Sequence, residues 1–431
     1  MNLEEKIKNK EAVIGVVGLG YVGLPLSIEF AKAGFFVSGV DISEDKVKKL
    51  SAGNTDVLDI KKDDLVDVID SGKLKIYNDY SVLKDADCIC VTVPTPLNKT
   101  KEPDISHIKY AIDEIKKILH KDLLIVLEST TYPGTTRELI AKEVEKSGYE
   151  VGRDIYVAFS PERIDPGNKK FSTRNIPRVI GGITKDCTRL ASCLYRSIID
   201  KVFCLDSSEE AEMVKLLENT FRSVNIALVN EMAMMCDRMG VNIWKVIEGA
   251  STKPFGFMPF YPGPGIGGHC IPLDPIYLSW KAKSYNFYNR FIDLATDING
   301  NMPRFVVNKL QRILNERNRS IKGSTLLIVG ITYKNDVNDL RESPSLEVFK
   351  LLEELGAKVD FFDSYIKSFN NDNGEYRSIE LNEKSLQSYE CVLILTAHKN
   401  VDYNFILENS RLIFDTRNVF KDCEDSKVVR L

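Results

Sequence analysis

Apolar and polar positions in the first part of the chain follow the order of repeating strand and helix units. The apolar run VIGVVGLG predicts a buried strand that ends in glycines, and YVGLPLSIEFAKAG has helical spacing that stops at Gly34. The run FFVSGVD predicts the next strand, so the three segments begin a βαβ unit. Later runs, DADCICVTVPTP, DLLIVLESTTYPGTT and YVAFSPERIDPGN, each end in a polar loop, where ligands bind in a doubly wound sheet.

From about Ser207 the spacing of apolar residues becomes helical. The segment EEAEMVKLLENTFRSVNIALVNEMAMMCDRMG contains almost no helix breaker before Gly240, which predicts one long helix. Helical segments continue through WKAKSYNFYNRFIDLATDINGNMPRFVVNKLQRILNERN. The middle of the chain is therefore predicted to be helical.

A second α/β pattern begins at STLLIVGITYKN. Ser343 and Pro344 fit a helix N-cap and first position, Gly356 ends that helix, and VDFFD, CVLILTAH and LIFDTRN predict further strands. The tail KDCEDSKVVRL is expected to be loose.

The predicted fold class is α/β, with two Rossmann-like doubly wound domains joined by a central helical domain that contains one long helix. A chain of 431 residues exceeds one ordinary core, which supports this division. The predicted domains are residues 1–206, 207–305 and 306–431.

Composition and charge narrow the classes of partner. The formal net charge of −4 provides no general attraction for nucleic acid or an anionic membrane, and no apolar run approaches the ~18 residues of a spanning helix. The N-terminus does not resemble a secretory signal, and nine scattered cysteines favour a cytoplasmic protein.

Cys88 and Cys90 share one face of a predicted buried strand, and no CxxC pair or histidine cluster completes a metal site. We therefore expect both to pack and expect no bound metal.

The glycines of GLGYVG predict a dinucleotide site. Gly18, Gly20 and Gly23 follow a strand at the start of a helix, and Asp41 ends the next strand. Such glycines allow a tight turn and close approach of a pyrophosphate to the helix N-terminus, while Asp41 can accept hydrogen bonds from the adenosine ribose. A carboxylate there repels a 2′-phosphate, so the predicted cofactor is NAD and not NADP. A glycine turn in an empty α/β domain is the alternative.

Cys270 lies in YPGPGIGGHCIPLDP, with His269 before it and Asp274 four residues after it. A packing cysteine normally sits in an apolar run, and this one sits among glycines and prolines. A Cys–His hydrolase dyad is disfavoured, because adjacent side chains usually diverge. Glycine-rich backbone can place N–H groups near the sulfur, and Asp274 can position a water. A nucleophile is the favoured interpretation, with packing as the alternative.

Lys215 and Asn219 lie four residues apart on the predicted long helix, so both project from one face. A solvated polar stripe is the common explanation for such a pair. The apolar neighbours of the lysine favour instead a partly buried site, where an ammonium and an amide can stabilise an oxyanion. The spacing alone leaves both interpretations open.

Seven motifs occur in the order found in a known family. GLGYVGLPL, VPTP, ESTTYPGTT, FSPERIDPGN, KLLENTFRSVNIALVNE, GPGIGGHCIPLDP and GITYKNDVNDLRESPS span essentially the whole chain, which resembles the nucleotide-sugar 6-dehydrogenases of the UDP-glucose/GDP-mannose dehydrogenase family. The resemblance implies an N-terminal NAD-binding domain, a helical core that forms a homodimer, and a C-terminal domain that holds much of a UDP-sugar. It also implies that the C6 alcohol is oxidised twice to a uronate for a surface polysaccharide, with one NAD site used for both oxidations.

The resemblance assigns roles to individual residues by their motifs. It implies that Cys270 adds to the aldehyde, and that the thiohemiacetal is oxidised to a thioester that water hydrolyses. Lys215 and Asn219 are implied to polarise the C6 oxygen. The residues implied to act in the hydrolysis are Asp274, Thr130 and Glu162. The implied cofactor contacts are Gly18, Gly20, Tyr21, Val22, Gly23, Asp41, Thr95, Thr130 and Arg341. The implied substrate contacts are Glu162, Arg163, Lys215, Asn219, Tyr261, Gly267 and Lys334.

The motifs also resemble one substrate branch. PERIDPGN and GIGGHC differ from the PEFLREG and GFGGSC of the common UDP-glucose enzymes, and ASTKPFGFMPFYPGPG is most similar to UDP-N-acetylglucosamine 6-dehydrogenases. UDP-N-acetylmannosamine and UDP-glucose are the alternative substrates. Two other classes of function stay open: a two-electron 3-hydroxyacid dehydrogenase, which needs no thiol, and a nucleotide-sugar binding protein without activity.

Overall fold

The computed structural model describes residues 1–57, 60–98, 102–164, 171, 173–268, 270–371 and 373–431. The chain forms two compact units. The first contains residues 1–218 and 276–287, and the second contains residues 219–275 and 288–431.

Strands and helices alternate through most of both units. The strands are β1 (Val13–Val17), β2 (Phe36–Val40), β3 (Leu74–Tyr77), β4 (Cys88–Val91), β5 (Leu123–Leu127), β6 (Ile155–Phe159), β7 (Arg178–Gly182), β8 (Val202–Leu205), β9 (Thr325–Val329), β10 (Lys358–Phe362), β11 (Ser368–Asn371), β12 (Gly374–Arg377), β13 (Cys391–Ile394), β14 (Ile413–Asp415) and β15 (Val428–Arg430). The α-helices are α1 (Leu3–Lys8), α2 (Gly23–Lys32), α3 (Glu44–Ser51), α4 (Lys62–Asp70), α5 (Ser106–Lys116), α6 (Lys142–Lys146), α7 (Lys185–Tyr195), α8 (Ser208–Met239), α9 (Ile243–Ser251), α10 (Asp274–Lys283), α11 (Arg290–Asn315), α12 (Pro344–Glu354), α13 (Glu383–Ser388) and α14 (Tyr403–Asn409). A 3₁₀ helix occupies Tyr80–Asp85, and a π-helical segment occupies Thr136–Ala141.

The first unit contains an eight-stranded sheet in the order β3-β2-β1-β4-β5-β6-β7-β8. Neighbouring strands are parallel except for the antiparallel pair β6 and β7, and Val17 of β1 lies opposite Val40 and Val91. Cys88 and Cys90 pack into the apolar core on one face of the sheet, while the residues after each of them pack into the core on the other face. The prediction that these two cysteines pack within a buried strand is confirmed.

The second unit contains a parallel five-stranded sheet in the order β10-β9-β13-β14-β15 and a separate antiparallel hairpin of β11 and β12. Along β9, Leu326 and Ile328 pack into one apolar core, while Leu327 and Val329 pack into another. A sheet with both faces buried is typical of doubly wound folds, and the predicted fold class is confirmed.

The predicted long helix is also confirmed. It is α8, 32 residues long, and Gly240 follows its last residue with a φ of +68° that favours glycine. Helix α11 continues for 26 residues with Pro303 inside it. Ser343 caps α12 by accepting from the Ser345 N–H, and Gly356 follows its C-cap with a φ of +85°, as the residue types predict.

The prediction of a loose C-terminal tail is wrong. Strand β15 pairs in parallel with β14, Leu431 is buried, and the Arg430 guanidinium donates to the carbonyl oxygens of Phe420 and Cys423. Three residues are too short a run to show alternation, and the strand forms only because β14 offers an open edge. The other end is also ordered: α1 buries Leu3 and Ile7 against the first core.

No helix in the described part of the chain is long and apolar enough to cross a membrane. Within the same residues, no group of three or more histidine, cysteine or carboxylate side chains is arranged to hold a metal ion.

Candidate active site

The glycine turn after β1 has the geometry of a dinucleotide cradle. Gly18 has a φ of +92°, and a Cβ on it would lie 2.9 Å from the Thr92 carbonyl oxygen. A Cβ on Gly23 would overlap the Gly18 carbonyl oxygen at 1.9 Å, so side chains are excluded at both positions. A Cβ on Gly20 would have no described atom within 4 Å, which leaves open space there. Val22 is the N-cap of α2 and no side chain caps this helix, so no side-chain acceptor competes with a pyrophosphate for the Gly23 N–H at the helix start.

Asp41 directly follows β2 beside this turn and is buried. Its Oδ2 accepts from the Leu19 N–H at 2.9 Å and from Lys46 Nζ at 2.7 Å, and its Oδ1 accepts from the Ser43 N–H at 3.1 Å. These contacts orient the carboxylate and leave acceptor capacity on Oδ1 for a ribose hydroxyl. The residues therefore fit NAD. Tyr21 lies in the same turn and is exposed.

The loops after β4 and β5 bring two predicted cofactor contacts together. Thr95 Oγ1 donates to the Thr130 carbonyl oxygen at 2.7 Å. Tyr277 on α10 donates through its hydroxyl to the carbonyl oxygens of Thr95 at 2.8 Å and Pro96 at 3.1 Å. Sequence reasoning missed Tyr277, because a tyrosine in a helix shows no local sign of a distant carbonyl partner.

Glu162 follows β6, and hydrogen bonds occupy both of its oxygens. Oε1 accepts from the N–H groups of Arg163 and Ile164, each at 2.6 Å, and Oε2 accepts from Arg178 Nη1 at 2.7 Å. The Arg163 side chain bonds instead to the Glu218 carboxylate. Arg178 was not predicted as a site residue. The available signal was an arginine at the start of the apolar run RVIGG, because arginine is almost never buried without partners.

Lys215 lies on α8 with only 9% of its surface exposed. Glu212, one turn earlier, is fully buried and accepts from the Gly134 N–H at 2.5 Å, the Thr136 N–H at 2.8 Å and the Thr136 hydroxyl at 2.7 Å. Burial raises the pKa of the Glu212 carboxyl to about 7. Glu212 thus ties this turn of α8 to the segment after β5. The burial of Lys215 argues against the alternative of a solvated polar stripe.

In the second unit the structure joins Asn219 and Asp274. Asn219 Nδ2 donates to Asp274 Oδ2 at 2.5 Å, and both residues are buried. Asp274 is the first residue of α10, and its backbone N–H donates to the Cys270 carbonyl oxygen at 2.8 Å. Cys270 is exposed to solvent. An accessible thiol therefore lies in a turn that a buried amide and carboxylate hold, while His269 lies outside the described residues.

The glycines before Cys270 pack against the loop that follows β9. The Gly268 N–H donates to the Arg341 carbonyl oxygen at 3.1 Å, and a Cβ on Gly268 would lie 2.7 Å from the Tyr333 ring. A Cβ on Gly267 would lie 2.5 Å from the Glu342 carbonyl oxygen. The two predicted substrate loops therefore meet through backbone that only glycine allows to approach so closely.

The same loop places Lys334 and Arg341. The Lys334 carbonyl oxygen accepts from the Thr332 hydroxyl at 2.9 Å, and the Arg341 guanidinium pairs with the Asp339 carboxylate at 2.5 Å. The Tyr261 side chain, at the start of the Cys270 loop, is 60% exposed.

A buried histidine holds the loop of Lys334 through a hydrogen bond to its backbone. His398 Nδ1 accepts from the Asp336 N–H at 3.0 Å, so its other ring nitrogen bears the proton and faces Asp363 Oδ2 at 3.0 Å. Asp363 also accepts from the Ile331 N–H at 2.8 Å. This repeats the bond from Leu19 to Asp41 in the first unit, with a histidine beside the acid.

Three models of one protein family match the chain. They are the NAD-binding, central and UDP-binding domains of the UDP-glucose/GDP-mannose dehydrogenase family, and they match residues 12–199, 209–301 and 327–422.

Individual relatives match over nearly the whole length. The UDP-N-acetyl-D-glucosamine 6-dehydrogenase of Pseudomonas aeruginosa is 34% identical over 98% of this chain and 100% of its own. The UDP-N-acetyl-D-mannosamine dehydrogenase of Pyrococcus horikoshii is 35% identical over 95% of this chain and 96% of its own. A solved structure of the UDP-D-ManNAc dehydrogenase from Pyrococcus horikoshii superposes with a TM-score of 0.88, covering 97% of this chain and 98% of that one.

The glycine cradle with its buried acid, the UDP-binding domain match and the full-length relatives therefore lead to one conclusion. This chain belongs to the UDP-glucose/GDP-mannose dehydrogenase family and is an NAD-dependent UDP-sugar dehydrogenase.

Proposed function

We propose that this protein oxidises the C6 alcohol of a UDP-N-acetylhexosamine, most specifically UDP-N-acetylglucosamine, to the uronate through a thioester on Cys270. The observation that carries the proposal is the accessible thiol of Cys270 in a turn held by the buried pair of Asn219 and Asp274. A surface polysaccharide is the proposed destination of the product.

Bound NAD supplies the two-electron acceptor for each of the two oxidations of C6. Lys215 and Asn219 polarise the C6 oxygen and stabilise the oxyanions that form on it, because an ammonium and an amide in a dry environment interact strongly with developing negative charge. Both side chains are buried, which supports this role.

Cys270 retains the half-oxidised sugar. Its sulfur forms a bond to the aldehyde carbon, while the C=O π pair moves to oxygen and the thiol proton is transferred there. The thiohemiacetal then loses a hydride and a proton to become a thioester. Water then adds to the thioester carbonyl, the C–S bond breaks, and its electron pair returns to sulfur. One proton of the water reaches the sulfur and the other reaches solvent, which leaves a carboxylate. Thr130, Glu162 and Asp274 orient and deprotonate this water in our proposal.

The remaining site residues bind the two ligands. Lys334, Arg163, Tyr261 and Gly267 are proposed to hold the UDP-sugar, and Arg341 is proposed to contact the cofactor. The packing of the Gly267 loop on the loop of Arg341 supports a shared substrate surface in the second unit.

UDP-N-acetylmannosamine is the second candidate substrate. A relative with that name is as similar to this chain as the N-acetylglucosamine enzyme is, at 35% against 34% identity. The two sugars differ in configuration at C2 alone, so a direct comparison of both with UDP-glucose decides between them.

The central helical region is further proposed to form a homodimer. Phe221, Leu228, Met235 and Met239 of α8, here called the α8 stripe, are each 44–65% exposed. Their spacing places them on one side of the helix, and exposed apolar side chains at such spacing favour contact with a second surface.

The test of the reaction counts NADH by absorbance for each sugar, with wild type, Cys270→Ala and, as the matched control, Cys204→Ala at the other exposed cysteine. We expect two NADH per acetamido sugar with wild type and the control, and no uronate with Cys270→Ala. One NADH per sugar, or uronate formation by Cys270→Ala at the wild-type rate, would contradict the thioester. Binding of UDP-sugar without any NADH would indicate a protein without this activity.

A further inference from the structure

The first unit contains a buried cluster of charged side chains in which the proposed reaction gives a role to Glu162 alone. It consists of Arg178 at the start of β7, Glu128 directly after β5, and Glu162 after β6. The side chains of Arg178 and Glu128 are 4% and 0% exposed, and that of Glu162 is 11% exposed. One cation thus lies between two carboxylates at the ends of adjacent strands.

The guanidinium of Arg178 donates hydrogen bonds from all three of its nitrogens. Nη1 donates to Glu162 Oε2 at 2.7 Å, Nη2 donates to Glu128, and Nε donates to Ser160 Oγ at 2.8 Å. The other oxygen of Glu128 accepts from the Tyr195 hydroxyl, and the guanidinium lies 5.0 Å above the Tyr195 ring. Only the planar fork of arginine can satisfy three acceptors in this way.

Such a cluster requires an explanation, because removing two carboxylates and a guanidinium from water costs several kcal/mol per ion before pairing. Burial raises the pKa of the Glu128 carboxyl. Apolar residues of similar volume usually stabilise a core as well or better. Stability alone therefore does not explain the cluster. We look for the explanation in the segments of the chain that it holds in place.

The cluster holds the two segments to which the proposed water-handling residues belong. Glu128 lies two residues before Thr130 in EST, and Arg178 donates to the Glu128 carboxylate. Glu162 itself is clamped between Arg178 and the N–H groups of Arg163 and Ile164. A single guanidinium therefore sets the direction of the Glu162 carboxylate and anchors the chain next to Thr130.

We infer that Arg178, with Glu128, is a positioning residue for hydrolysis of the thioester, acting through Glu162 and the segment of Thr130. The inference rests on the proposed function, since it assigns a role only if a thioester forms on Cys270. The step concerned is addition of water to the carbonyl carbon, with cleavage of the C–S bond and return of its electron pair to sulfur. Neither oxidation involves this water, so both oxidations are independent of the cluster.

The experiment is a rapid-quench single turnover with enzyme in excess over UDP-sugar and NAD in excess over both, and it measures NADH by absorbance and the mass of the intact protein. In Arg178→Lys the positive charge is kept, but the three N–H donors of an ammonium radiate from one nitrogen and do not match acceptors that Nε, Nη1 and Nη2 meet separately. We expect both NADH to form within about two-fold of the wild-type rate, hydrolysis to slow about 10- to 100-fold, and enzyme with the mass of the uronyl thioester to accumulate. Glu162→Gln should slow the same step, and the double variant should be no slower than the worse single one, because residues in one network are not additive.

A structural role predicts a different pattern. If Arg178→Lys slows all steps equally or hydrolyses the thioester at the wild-type rate, the inference is wrong. If Arg178→Lys does not fold, Glu128→Gln decides in its place, with thioester accumulation expected and unchanged hydrolysis overturning the inference. Failure of the proposed function is recognised separately, because Cys270→Ala would then still form uronate and wild type would carry no thioester at any time.

Discussion

The orientation and net charge around each charged residue of the site depend on partners from other elements of the chain. Asp41 was expected to accept hydrogen bonds from the ribose, and Lys46 of α3 lies 2.7 Å from its Oδ2. The ammonium compensates part of the negative charge that was expected to exclude a 2′-phosphate. The preference for NAD therefore depends on the orientation of the carboxylate toward the ribose as well as on its charge.

Glu212 should make stability depend on pH. Burial raises its pKa from 4.5 to about 7, so the folded state holds this proton more tightly than the unfolded state. Its contribution to stability is fully present below pH 4.5 and is lost as the pH rises through about 7. The difference between the two values corresponds to about 3 kcal/mol of unfolding free energy at most.

Chemical denaturation of wild type and Glu212→Gln between about pH 5 and 8 measures this contribution. We expect wild type to lose stability with rising pH more steeply than the variant, because glutamine does not titrate. Glu210→Gln, at an exposed position on the same helix, is the matched control and should keep the wild-type slope. Equal slopes for wild type and Glu212→Gln would show that Glu212 ionises at its ordinary pH.

At the scale of elements, glycines shape both the loops of the site and the ends of the helices. The residue types alone predicted the ends of α2, α8 and α12, because Gly34, Gly240 and Gly356 supply backbone of positive φ within two residues of each helix end. They did not predict that the Cys270 loop packs on the loop after β9. That contact joins Gly268 to Arg341 and Tyr333, which are far apart from it in sequence.

Gly268→Ala should displace the Cys270 loop. Its φ of +86° is unfavourable for alanine, and the added methyl would lie 2.7 Å from the Tyr333 ring. We expect kcat/KM to fall at least about 10-fold, since small misplacements of reacting groups have effects of this size or larger. Steady-state kinetics with the preferred UDP-sugar provides the measurement.

Gly148→Ala is the matched control for Gly268→Ala. Gly148 has a φ of +88°, and a methyl group added to it would have no described atom within 4 Å, so its substitution adds backbone strain alone. We expect it to cost about 1 kcal/mol of stability and to leave kcat/KM unchanged. Equal kinetic effects of the two substitutions would show that strain, not the contact with Tyr333, explains any loss.

At the scale of the whole molecule, the α8 stripe is an apolar surface that a single chain leaves exposed. Four large apolar side chains on one side of a helix favour burial against a second copy of the chain. A charge within such a contact is strongly unfavourable, because it must lose its hydration on association. The stripe therefore offers a direct test of the proposed homodimer.

Leu228→Glu should shift the protein from dimer to monomer in size-exclusion chromatography with light scattering. Leu355→Glu is the matched control, because Leu355 is a similarly exposed leucine that lies outside the stripe, at 47% against 53%. We expect the control to keep the mass of wild type. A wild type that is monomeric at every concentration, or a Leu228→Glu variant that stays dimeric, would contradict contact through the stripe.

The amino-acid sequence by itself determined the α/β fold class, the long helix, the glycine turn for NAD and the family, because each depends on residue types at short, regular spacing. The tertiary structure alone decided which side chains meet. Arg178 lies 16 residues from Glu162 and 50 from Glu128, and Asn219 lies 55 residues from Asp274. Strand β15 likewise exists only because β14 presents a free edge to the last residues. Such contacts are set by the packing of whole elements, and local spacing contains no record of them.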